Sequence, residues 1–95
     1  MSREAILKLI EMNHERLRRL GVRELCLFGS FARGEARPDS DVDFFVDLEE
    51  KSFDRYMAVK ELLEDVLNRK VDLVVKSAIK PRLRDVILRE AVRAA

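Results

Sequence analysis

Apolar residues recur at helical spacing over the first twenty positions, with Ile6, Ile10, Leu17 and Leu20 on one stripe and Asn13 within it. This pattern predicts one helix over 2–20, stopped by Gly21. The pattern then shortens. Residues 23–28 (Arg-Glu-Leu-Cys-Leu-Phe) predict a first strand, and Gly29 breaks it. Ser30 to Arg33 predict a helical turn, and 34–40, with Gly34, Pro38, Asp39 and Ser40, predict a loop. Residues 41–47 predict a second strand. Ser52 is placed to cap a helix over 53–68 with Phe53, Tyr56, Val59, Leu63 and Val66 facing inward. Residues 70–75 predict a third strand. Pro81 suits the first turn of a last helix over 81–93, with Leu83, Val86, Ile87 and Val92 facing inward.

The order is αβ(turn)βαβα. The first two strands are joined by too short a segment for a helical crossover, so they pair antiparallel. The second and third are separated by a full helix, so they pair parallel through a right-handed crossover. The expected fold is α/β in the α+β sense: a small mixed β-sheet flanked by helices, formed by a single domain over 1–95. No internal repeat, linker or low-complexity segment interrupts it.

Composition narrows the function. The 47% hydrophobic content supports one folded core, and no apolar run reaches membrane-spanning length. Nineteen basic and eighteen acidic residues leave a net charge of +1. Nucleic-acid grips carry a clear basic excess, so direct binding to polymer nucleic acid is not expected. The single cysteine, Cys26, excludes an internal disulfide and suits the cytoplasm. Glu4 and Lys8 interrupt the first apolar residues, against a secretory signal. The sequence leaves the oligomeric state open, a homo-oligomer included.

Chemistry concentrates in 29–43, Gly-Ser-Phe-Ala-Arg-Gly-Glu-Ala-Arg-Pro-Asp-Ser-Asp-Val-Asp. Side chains two apart on a strand share a face, so Asp41 and Asp43 point together, their Cα atoms roughly 6.5–7 Å apart. Asp72 stands alone in the apolar run Val71-Asp72-Leu73-Val74-Val75. If the third strand lies beside the second, Asp72 joins the pair; its alternative is an ion pair with an arginine. Three carboxylates so close repel unless cations neutralise them. Mg²⁺ prefers oxygen ligands, and two such ions can stabilise both the attacking and the leaving oxygen of a phosphoryl transfer. In that scheme Asp41 and Asp43 hold metal, while Asp72 ligates the catalytic metal and helps deprotonate the incoming hydroxyl. Gly29 lets the backbone approach a phosphate, Ser30 opens a helical turn that favours an anion, and Arg33 is one turn on, within reach of a triphosphate. The remaining notable side chains read as structural: Cys26, Phe28, Phe44, Phe45 and Tyr56 as packing, Phe31 as core rather than nucleotide border, and His14 as surface. Arg82, Arg84, Arg89 and Arg93 read as a solvated face, with partner contact as the alternative.

Gly29-Ser30, ten intervening residues, then Asp41-Val42-Asp43 resembles the signature of the nucleotidyltransferase superfamily that includes DNA polymerase beta. The Pro-Asp-Ser-Asp-Val-Asp segment, Val71-Asp72-Leu73-Val74 and both ends of the last helix resemble its minimal nucleotidyltransferases. The resemblance spans nearly the whole chain. It implies the nucleotidyltransferase fold, two Mg²⁺ ions with ATP as substrate, and transfer of AMP to a hydroxyl with release of pyrophosphate. It also implies an antitoxin that adenylylates a HEPN ribonuclease toxin. On these positions Asp41, Asp43 and Asp72 form the catalytic, metal-binding triad, and Gly29, Ser30 and Arg33 bind the nucleotide. Two alternatives follow from the same residues: a non-catalytic antitoxin that binds its toxin, and nucleotidyl transfer to a small molecule.

Overall fold

The computed structural model describes residues 1–95. Two short helices, α1 (Arg3–Met12) and α2 (His14–Arg19), lead into β1 (Val22–Phe28). A single-turn helix α3 (Gly29–Arg33) and a loop then precede β2 (Val42–Leu48). Helix α4 (Phe53–Leu67), β3 (Val71–Val75), a 3₁₀ turn (Lys76–Ala78), α5 (Pro81–Glu90) and β4 (Val92–Arg93) complete the chain. The four strands form one mixed sheet in the order β3-β2-β1-β4. As the connections predict, β1 and β2 are antiparallel and β2 and β3 parallel. No helix is long and apolar enough to cross a membrane.

Strand alternation sorts the sheet into two unequal faces. Leu25 and Leu27 of β1, Val42, Phe44 and Val46 of β2, and Val71 and Leu73 of β3 turn toward α1, α2, α3 and α4. With Ile6, Ile10, Leu17, Phe31, Val59, Leu63 and Leu67 they make one continuous core. Each large side chain so buried contributes about 1.5–3 kcal/mol of transfer free energy, so this face holds most of the hydrophobic stability. The opposite face carries only a small cluster of Cys26, Phe45 and Ile79, against which Phe28, Val74, Ile87 and Ala91 pack. Helix α5 covers part of it.

Local chemistry fixes the helix starts. The Ser2 and Ser52 hydroxyls accept hydrogen bonds from the N–H groups of Ala5 (3.1 Å) and Arg55 (3.2 Å). The Tyr56 hydroxyl donates to the Leu73 carbonyl at 2.6 Å, tying α4 to the outer strand β3.

The structure corrects the expected elements in four places. The helix expected over 2–20 is two helices, because Asn13 breaks it. Its side-chain amide donates to the Leu9 carbonyl (2.8 Å) and its Oδ1 accepts from Arg16 (3.1 Å), so it competes with the backbone ladder. The last helix ends at Glu90 rather than 93. Ala91 is extended, and Val92 and Arg93 pair antiparallel with Leu27 and Cys26 on the free edge of β1. Edge pairing satisfies backbone groups that three more helical residues would have left open. The expected inward stripe is also incomplete: Ile87 packs on the small cluster, whereas Leu83 is 45% and Val86 53% exposed. Phe53, expected inward on α4, is 70% exposed at its first position.

Candidate active site

Pairing register brings the acidic residues together. Asp43 sits opposite Phe28 on β1 and opposite Asp72 on β3, so the two carboxylates are neighbours on adjacent parallel strands. Both belong to the sparsely covered face, since the core residues Val42, Phe44, Val71 and Leu73 alternate with them. Asp41 lies one residue before β2 and is exposed. Two residues from Asp43, it continues that face toward the loop.

The turn after β1 is built around Asp43. Gly29 has φ +74°, a conformation that L side chains rarely adopt. A Cβ on Gly29 would run into the Asp43 carboxylate. Glycine is thus required twice, by the turn and by the contact. Gly29 and Ser30 open α3, whose first N–H groups have no partner inside the helix. The Gly29 N–H donates to Glu90 Oε1 at 3.1 Å, and Arg33 pairs with Glu90 Oε2 and Glu35 Oε1, each at 3.0 Å. Gly29 is thus packed against the Asp43 carboxylate and bonded to Glu90, and Arg33 is held by two glutamates.

Electrostatics mark Asp43. Burial, then the negative charges of Asp72 and Asp41, push its carboxyl from the ordinary 3.8 up to about 6, and Arg33 only partly offsets them. Arg33 is itself raised, chiefly by its hydrogen bond to Glu90 and then by Glu35.

The loop between Arg33 and β2 is held from the far side. Arg69 Nη1 donates to the carbonyls of Pro38 (3.1 Å) and Ser40 (3.5 Å), and its guanidinium lies 5.3 Å from the centre of the Phe31 ring. Phe31 itself is buried in the core, as expected. A shallow cavity of about 340 Å³, lined by Pro38, Ser40, Asp41, Arg69 and Lys70 among others, opens beside Asp41. Glu90 and Arg69 carry no sequence signal for these contacts, being separated from their partners by 61 and about 30 positions.

The donor set suits a hard divalent cation: oxygen ligands only, mutually repelling, on an open face. The side chains do not close into a cage, and no group of three or more Asp, Glu, His or Cys residues is arranged to hold an ion alone. Mg²⁺ is commonly held by one or two carboxylates together with waters and substrate phosphates. Asp43 and Asp72 are the neighbouring carboxylates that could share such an ion, with Asp41 close by.

Known proteins carry the same frame. The model of the nucleotidyltransferase domain family matches residues 9–94. The protein adenylyltransferase MntA of Thermococcus cleftensis is 45% identical over 91 residues, covering 94% of this chain and 92% of that protein. A solved structure described as a minimal nucleotidyltransferase superposes with a TM-score of 0.84 at 39% identity, over 97% of this chain and 95% of that one. A chain from the complex of the tri-AMPylated HEPN toxin of Shewanella oneidensis with its MNT antitoxin superposes with a TM-score of 0.65 over 94% of this chain and 71% of its own. At 19% identity that last likeness is one of fold. With a family match over nearly all its length and close relatives of the same size, the chain belongs to the nucleotidyltransferase domain family, among the minimal nucleotidyltransferases.

Proposed function

We propose that this single-domain protein is an adenylyltransferase that moves AMP from ATP to a hydroxyl of a protein partner, a HEPN ribonuclease toxin, and so acts as its antitoxin. The observation that carries the reading is the register that sets Asp43 beside Asp72, next to a glycine turn fitted to Asp43. The 45% identity to a protein adenylyltransferase supports the acceptor class, and the likeness to an MNT antitoxin bound to its HEPN toxin supports the partner. The free, buried Cys26 supports a cytoplasmic setting.

The chemistry asked of the chain is substitution at the α-phosphorus. The acceptor oxygen forms a bond to phosphorus, the bond to the bridging oxygen breaks, and pyrophosphate leaves. Asp72 takes the proton of the acceptor hydroxyl or orients it. Asp41, Asp43 and Asp72 would hold Mg²⁺, which when bound supplies charge neutralisation for the triphosphate. Ser30 contacts a phosphate oxygen at the start of α3. Arg33 reaches the triphosphate once it lets go of Glu35. The half-covered sheet face leaves room for a protein acceptor above the carboxylates.

The test is intact-mass spectrometry of the HEPN partner co-expressed with this chain and with the Asp41→Asn/Asp43→Asn double variant. Modification predicts a gain of the mass of AMP with the wild type alone, and a partner that stays silent after this chain is removed. A silenced partner of unchanged mass, equally protected by the double variant, would instead establish neutralisation by binding.

A further inference from the structure

We propose that Glu90 is a positioning residue for this site: from the end of α5 it fixes the Gly29 turn that shapes the setting of Asp43, and it holds Arg33 beside it. The proposal rests on the nucleotidyltransferase reading of the site. Its geometry is independent of that reading.

Glu90 is the last residue of α5, and its two carboxylate oxygens do different things. Oε1 accepts the Gly29 N–H at 3.1 Å and Oε2 accepts Arg33 Nη1 at 3.0 Å. The Glu90 side chain is only 19% exposed and its bond to Gly29 is partly buried, whereas the Arg33 side chain is 45% exposed. Gly29 needs such a hold. It stands in the left-handed region, where glycine has wide freedom, at the junction of a strand and a single-turn helix. Its Cα faces the Asp43 carboxylate so closely that no side chain fits between. A shift of Gly29 therefore changes the space in which Asp43 sits. The chain of contact runs from Glu90 through the Gly29 backbone to Asp43, with Arg33 as a second branch.

The placement of α5 adds a second argument. None of its residues is fully buried, and Leu83 and Val86 face solvent. Apolar packing through Ile87 alone is a light attachment for a ten-residue helix. Glu90 adds two charge-assisted hydrogen bonds at the end nearest the site. The backbone turns extended at Ala91 immediately afterwards and enters β4, so Glu90 is anchored on its C-terminal side by the sheet itself. A carboxylate held this way is a fixed point from which the Gly29 turn can be set.

The experiment compares wild type, Glu90→Ala and Glu90→Gln, each assayed well below its own melting midpoint with Mg²⁺-ATP and the HEPN partner. Gln keeps an acceptor for the Gly29 N–H but loses the charge that pairs Arg33; Ala loses both. We expect Glu90→Ala to lower kcat about tenfold, the loss of the charge-assisted hydrogen bond to the Gly29 N–H expressed as a rate. Glu90→Gln should recover most of kcat while raising the KM for ATP. Amide hydrogen exchange at Gly29 in the nucleotide-free protein should quicken in Glu90→Ala and stay slow in Glu90→Gln. Wild-type kcat in Glu90→Ala, an equal fall in both variants, or tighter ATP binding in Glu90→Ala would overturn the proposal. The last result would mean that Glu90 obstructs the site. If the wild type transfers nothing, the reading of function fails, and Gly29 exchange still decides whether Glu90 holds the turn.

Discussion

Replacing Asp43 with asparagine should stabilise the nucleotide-free protein at neutral pH and leave it nearly unchanged in acid. Burial and the charges of Asp72 and Asp41 raise the Asp43 carboxyl from 3.8 to about 6. Between those values the folded state holds a proton that the unfolded state has released. Stability therefore falls as pH rises through that window. The penalty is absent below 3.8 and fully present above about 6. A displacement of about two pK units sets a ceiling of about 3 kcal/mol. Asp43 is only half-buried, so water and counter-ions screen the repulsion, and about 1–1.5 kcal/mol is the expected net effect. For a domain of this size that corresponds to a rise in Tm of roughly 4–12 °C. The assay is urea unfolding of wild type and Asp43→Asn without divalent cations, at steps from about pH 4 to pH 7.5. Titrations of groups remote from Asp43 cancel in the difference between the two proteins. A difference that stays flat with pH, or a wild type more stable than Asp43→Asn at neutral pH, would refute the reasoning.

Two further outcomes test the frame around the carboxylates. Gly29→Ala should cost at least about 2 kcal/mol, because it combines a disfavoured φ with a Cβ driven into Asp43; a loss under about 0.5 kcal/mol in urea unfolding would contradict the contact. Tyr56→Phe should cost about 1 kcal/mol by removing the 2.6 Å hydrogen bond to the Leu73 carbonyl. An unchanged urea midpoint would show that water replaces the hydroxyl there.

The three main strands, the crossover helix and the grouping of carboxylates were legible because each rests on periodicity or spacing. A period of two places Asp43 on the face opposite Phe44, and connection lengths set which strands run parallel. Asn13 was hidden because it falls on the apolar stripe, where spacing cannot distinguish a helical residue from one whose amide caps the Leu9 carbonyl. Strand β4 was hidden because two residues carry no alternation; the open edge of β1 creates it. The apolar content of α5 signalled a buried face, yet the small cluster accommodates only Ile87 and the following Ala91. Glu90 and Arg69 were hidden for a different reason. Each acts across the fold on a backbone group, and backbone groups have no identity in a sequence.

The alternation along β2 has a consequence for how this chain tolerates change in length. Phe44 is fully buried, and Asp43 and Asp47 on either side of the apolar run lie on the opposite face. Deleting or inserting one residue within 42–48 would invert everything beyond it, sending a carboxylate into the core and an aromatic ring to water. The irregularity that β1 does contain falls between Val22 and Glu24, at the end away from Gly29. Length variation among relatives should therefore collect in the 34–40 loop, where Gly34 has open space around it and an added residue can bulge outward. The same strand that builds the core also sets Asp43 opposite Asp72, so that pairing is as resistant to drift as the packing of Phe44.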